Sequence, residues 1–168
     1  AATTGVNNTA VGSLALTAMT VGTGNTAAGK SALDALTTGT DNTAVGLDAL
    51  GAATTAIDNV AIGKDALLAM TIGINNVAVG KGAMAVLTTG NDNVAIGQSA
   101  LDAATTAIDN VAIGSNALGA CTVGTDNIAI GDDAMLVTPT GIDNVAIAAD
   151  ALKAQTVGVR NLGIGNNA

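Results

Sequence analysis

Residues 24–31, Gly-Asn-Thr-Ala-Ala-Gly-Lys-Ser, fit the pattern G-x-x-x-x-G-K-S/T, in which a glycine-rich loop cradles phosphates and a lysine reaches them. Nucleotide chemistry also needs a strand before the loop, a long helix after it and an aspartate on a later strand to help hold magnesium. Here the motif is one ordinary member of a series. Gly63-Lys64 and Gly80-Lys81 repeat its Gly-Lys pair at multiples of 17 residues. The lysine therefore reads as a surface residue after a repeated glycine.

Aspartates recur in the same rhythm: Asp41, Asp58, Asp92, Asp109, Asp126 and Asp143, the last four on consecutive repeats. Stacked about 4.8 Å apart, like charges repel by roughly 1 kcal/mol in water. A calcium ion bridging Asp92, Asp109, Asp126 and Asp143 would relieve that. The spacing matches neither an EF-hand loop nor a Gly-Gly-x-Gly-x-Asp roll, so solvated turn aspartates are the preferred reading and no metal is expected.

An asparagine occupies one column in every repeat: Asn8, Asn25, Asn42, Asn59, Asn76, Asn93, Asn110, Asn127, Asn144 and Asn161. A buried polar column must satisfy itself, so a ladder of stacked amides is expected rather than a row of ligands. Threonine recurs too, and rows of Thr on a flat face can bind ice. The doublets here are adjacent, however, and adjacent strand residues point to opposite faces. Cys121 fills a slot held elsewhere by Met19, Leu36 and Ala53 and reads as a core filler. There is no His, and no Ser or Cys has a base beside it in the repeat. Nucleophilic or acid–base catalysis thus has no visible parts, and neither enzyme activity nor a cofactor is expected.

Composition narrows the class further. The 168 residues include no Phe, Tyr, Trp, His or Glu, 22 Gly and one Pro. Charged residues are 11%, under half the usual share of about 25%. A core without aromatics must be thin. The net charge of −8 repels phosphate, and no basic stripe offsets it, so nucleic acid is not an expected partner. No apolar run is long enough for a membrane span, and there are no aromatics for the girdles of an outer-membrane barrel.

The repeat settles the architecture. Segments of 17 residues start at Gly5, Gly22, Gly39, Ala56, Gly73, Gly90, Ala107, Gly124, Gly141 and Gly158, without insertion or deletion. Counting that first residue as position 1, the consensus is G-x-D-N-V-A-I-G-x-x-A-L-x-A-x-T-T. So strict a period marks each segment as one rung of a solenoid. The expectation is an all-β fold: a parallel β-solenoid or β-roll of ten rungs, one array over residues 1–168, read as an excerpt of a longer fibre or a unit that stacks end to end. A block of three rungs recurs on top. Residues 52–63 and 103–114 are identical, and the Ala replacements at position 1, Ala56 and Ala107, lie 51 residues apart. Duplication accounts for this.

Within a rung, N-V-A-I-G is the strand signal. Alternation puts Val60 and Ile62 on one face and Asn59, Ala61 and Gly63 on the other. The large aliphatic face is expected to line the core. The small Asn-Ala-Gly face is then expected to meet another chain, so that Ala95→Glu and Ala112→Glu break assembly. The second half, x-x-A-L-x-A-x-T-T, is read as a second short strand with a bend, or a short helical turn. Charge concentrates at positions 9, 10 and 13, including Lys30, Lys64, Lys81, Asp48, Asp65 and Asp102. These are the expected solvent or receptor surface.

N-V-A-I-G-x-x-A resembles the S-V-A-I-G-x-x-A-x-A repeat of trimeric autotransporter adhesin heads. The longer N-T-A-V-G-x-x-A-L-x-x-x-T-T from residue 42 is similar to repeats of bacteriophage tail fibres and tailspikes, over essentially the whole chain. The resemblance implies a left-handed parallel β-roll in a homotrimer, extracellular on a virion or cell surface, giving a stiff shaft with receptor contact. Adhesin repeats are shorter, so the second half here must bend differently. A self-assembling extracellular filament subunit and an ice-binding solenoid are the alternatives.

Overall fold

A computed structural model of the chain describes residues 4–154 and 158–168. Ten three-residue strands follow one another: β1 (Thr9–Val11), β2 (Thr26–Ala28), β3 (Thr43–Val45), β4 (Val60–Ile62), β5 (Val77–Val79), β6 (Val94–Ile96), β7 (Val111–Ile113), β8 (Ile128–Ile130), β9 (Val145–Ile147) and β10 (Leu162–Ile164). They form one parallel sheet in chain order. Val60 pairs with Val77 and Ala61 with Ala78, and every other pairing keeps the same 17-residue offset, from Thr9 with Thr26 to Val145 with Leu162. Each strand is therefore one rung of a β-solenoid, and there is no helix among the described residues. A second ladder of single bridges runs through position 2, as in Ile57 with Ile74 and Ile108 with Thr125.

Corners are set by backbone conformation. Positions 3, 10 and 12 are left-handed, as in Asp58 (φ 55°), Asp65 (φ 60°) and Leu67 (φ 51°). Asn, Asp and Gly adopt that region at least cost. This explains why position 3 holds one of those types in nine of ten rungs, Arg160 being the exception, and why position 10 holds Asp, Ser, Asn or Gly in nine of ten. Position 8 needs glycine more strictly: Gly63 has φ 131°, and a Cβ there would lie 2.6 Å from the carbonyl oxygen of Gly80. The second strand expected in the latter half is absent. Positions 9–14 instead form successive turns, held because their amides bond to the next rung, as Leu67 N–H does to Ala83 O at 3.0 Å and Ala69 N–H to Ala85 O at 3.0 Å.

The strand faces the opposite way from the sequence expectation. Ala61 and Asn59 are fully buried, while Ile62 is 40% exposed and Val60 is half-buried. The Asn-Ala face is the core lining, and the Val/Ile face lies outside. Volume explains the reversal. Large buried side chains already enter from the turns: Leu67, Leu101 and Met135 at position 12, and Leu36, Met70 and Leu87 at position 15. A narrow interior filled from one side leaves room for only Ala and Asn on the other.

The three-rung rhythm has a packing basis as well. A Cβ built on Gly90 would lie 2.5 Å from Leu87 Cδ1 and closer still to the Ala107 carbonyl oxygen, on Gly73 2.6 Å from Met70 Cε and on Gly124 2.6 Å from Cys121 Sγ. Position 1 carries a Cβ only at Ala56 and Ala107, where the residue three earlier is Ala53 or Ala104. Gly90→Ala should therefore cost about 1–3 kcal/mol through overpacking, and Leu87→Ala about 2–5 kcal/mol through a cavity. The double variant should cost less than their sum by about 1 kcal/mol or more. Denaturant titration of the four chains checks this, and strict additivity would refute the coupling.

Candidate functional site

The asparagine ladder runs the length of the solenoid as expected. Asn93 Nδ2 donates to Asn76 Oδ1 at 3.0 Å, to Asn91 O at 2.9 Å and to Ala107 O at 2.8 Å. Its own Oδ1 accepts from the backbone N–H and the Nδ2 of Asn110, both at 3.1 Å. Asn25 through Asn144 are fully buried. No amide is left over for a ligand; the column ties each rung to both neighbours.

The other suggestive motifs are likewise absorbed by stacking. In the phosphate-loop look-alike, Gly24 N–H donates to Val6 O, Gly29 N–H to Val11 O and Ser31 N–H to Ser13 O, while Asn25 N–H donates to Asn8 Oδ1. Those amides are unavailable to cradle a phosphate, and Lys30 points to solvent. At position 16 each threonine hydroxyl donates to the next rung's carbonyl, as Thr37 Oγ1 does to Thr54 O at 3.0 Å and Thr71 Oγ1 to Thr88 O at 3.1 Å. Thr156 of that column lies outside the described residues. Position 17 is exposed, as at Thr38, Thr55 and Thr89.

Asp92, Asp109, Asp126 and Asp143 are exposed at the left-handed corner. Among the described residues no group of three or more His, Cys, Asp or Glu is placed to hold a metal ion. The corner conformation already accounts for these residues. Asp109→Asn should change stability by less than about 0.5 kcal/mol, whereas Asp109→Val should cost about 1–2 kcal/mol because a β-branched residue resists a positive φ. Thermal melts of both variants test this; equal losses would mean that the charge, and not the backbone, selects the residue.

Charge does concentrate at positions 9, 10 and 13. Lys30, Lys64 and Lys81 are exposed, and Asp48, Asp65 and Asp102 are half-buried, while Ser31 departs from the pattern by being buried. Lys64 pairs with Asp65 at 3.4 Å. Lys153 bridges two rungs, 2.8 Å from Asp133 and 2.6 Å from Asp150. Its hydrogen bond to Asp133, then that of Asn116, holds the Asp133 carboxyl below its ordinary range, and the same two aspartates raise the lysine. Burial pushes the Asp102 carboxyl up, opposed by the Ser99 hydroxyl. Cys121 is buried and its thiol is likewise pushed up by burial.

What the sequence reading missed is the outer strand face. Positions 5 and 7 form two columns of Val, Ile and Thr, with Val45, Ile62, Ile96, Ile130 and Ile147 each more than a third exposed. A contiguous apolar strip of this kind makes the outer strand face the candidate interaction surface. The signal for it was present in the Leu/Met column at position 12, which leaves no room inside for the strand's larger side chains.

Comparison with known proteins gives no match: no protein-family model fits the chain, and no curated protein or solved structure is significantly similar to it.

Proposed function

We propose that the chain is a structural segment of an extracellular fibre, a phage tail fibre or a cell-surface adhesin, in which several copies, three by the resemblance, lie side by side along a common axis. The observation that carries this reading is the outward Val/Ile strip on a solenoid whose own interior is already full. Ten rungs about 4.8 Å apart give a strip about 45 Å long, uninterrupted because no rung carries an insertion. Covering it requires another rod-shaped surface of the same length and regularity, which a second copy supplies. The face at positions 10 and 13 stays outside such a bundle and is the surface offered to a receptor.

Light scattering tests the proposal. The wild-type chain should exceed its monomer mass of 15.9 kDa by a whole multiple. Ile62→Glu with Ile96→Glu should return it to the monomer with its circular dichroism unchanged, since both residues lie outside the core. A wild-type monomer at high concentration overturns the reading.

A further inference from the structure

The apolar strip has two unlike edges. The corner at position 3 bounds one side; across the ten rungs it carries six aspartates and one arginine. The turn at position 9 bounds the other, with three lysines and one aspartate, Asp132. Among the described residues, no position-3 aspartate has a salt-bridge partner, and Lys30 and Lys81 have none either. Between these edges the strand itself spans three residues, about 10 Å, so over the strip's length the Val/Ile face comes to roughly 450 Å² per copy, and the charged edges must contribute to reach the roughly 800 Å² per partner of a stable interface.

We infer that the partner of this face is a second copy of the chain in parallel orientation, held in register by a seam of position-3 aspartates from one copy and position-9 lysines from the next. The inference rests on the side-by-side assembly proposed above and adds its direction and register. The geometry leaves two ways of joining strips. If copies run parallel about a common axis, the acidic edge of one always meets the lysine edge of its neighbour. If they run antiparallel, the acidic edges meet each other, and six aspartates face six. Like charges placed together at the rim of an apolar interface select against that arrangement. In the parallel arrangement every lysine finds an aspartate on the same or an adjacent rung: Lys30 opposite Asp41, Lys64 opposite Asp58 and Lys81 opposite Asp92. Asp132 is the single residue on that edge with the wrong sign. Arg160 shows that position 3 accepts a cation, at φ 58°.

Charge reversal with rescue tests the seam. Lys30→Asp, Lys64→Asp and Lys81→Asp together should weaken assembly at least tenfold at low salt. Adding Asp41→Lys, Asp58→Lys and Asp92→Lys to the same chain should restore it. Direction is read separately with a short bifunctional maleimide. The pair Lys81→Cys/Asp92→Cys should cross-link copies, because within one chain those positions lie on opposite edges of the strip, while Asp92→Cys alone should not. A wild-type chain that is monomeric removes both the assembly and the seam. A wild-type oligomer that survives the lysine reversal, is not rescued by the swap, or cross-links through Asp92→Cys alone keeps the assembly and overturns the seam.

Discussion

Asn93→Leu should lower the stability of the solenoid by about 2–6 kcal/mol, among the largest effects open to a single substitution. Removing the amide leaves the Asn110 N–H without its acceptor at 3.1 Å and the Ala107 carbonyl without its donor at 2.8 Å, in fully buried surroundings. Each orphaned group costs about 1–3 kcal/mol. The damage should be local, since rungs contact only their neighbours. Hydrogen exchange is therefore the measurement of choice: amides of β5 to β7 should lose protection while those of β1 and β10 keep theirs. Asn8, which is only part-buried at the start of the ladder, should tolerate the same change at lower cost. Uniform loss of protection along the chain would mean that the array unfolds as one cooperative unit, and an unchanged exchange pattern would refute the ladder's structural role.

Ala95→Glu should prevent its rung from folding, a loss above about 4 kcal/mol. Ala95 is fully buried and pairs with Ala78 and Ala112 in the sheet. A carboxylate placed there has neither a cation nor space, and burying it unpaired is among the most expensive changes available. Ile96→Glu, one residue along and 39% exposed, should leave the fold intact and affect only association. Circular dichroism and light scattering on the two variants separate the outcomes. A folded Ala95→Glu chain with only its assembly lost would place the alanine column outside, contrary to the structure.

That contrast marks where sequence reasoning held and where it failed. The period, the parallel 17-residue register and the asparagine ladder were all legible, because each depends on a residue repeated without interruption. The identity of the inner face was not. Hydrophobic size argued that Val60 and Ile62 go inside and Ala61 outside, and for an isolated strand that is the better guess. The facing element decided otherwise. Leu67 and Met70 occupy the interior from the turns; the column of Met70 and Cys121 reads as core in the sequence, but Leu67 does not, because it adopts a left-handed φ of 51° that nothing in a leucine announces. Asp58 and Asp65 did carry a legible signal for such corners, since short polar residues favour that conformation. The resemblance to fibre and adhesin repeats adds the expectation of a trimer, with the Asn-Ala-Gly face as the expected contact; burial of that face moves the proposed contact to the Val/Ile strip.

Contacts confined to adjacent rungs also fix how the rod answers a pull along its axis. Strand contacts join only consecutive strands, β1 to β2 through β9 to β10. Tension applied at the ends loads the rung junctions in series, so the weakest terminal junction yields first and the remainder keeps its form. Each rung that peels away converts about 5 Å of rod into nearly 60 Å of extended chain, 17 residues at about 3.3–3.6 Å each. Tension on such an array therefore releases chain one rung at a time, rather than all at once.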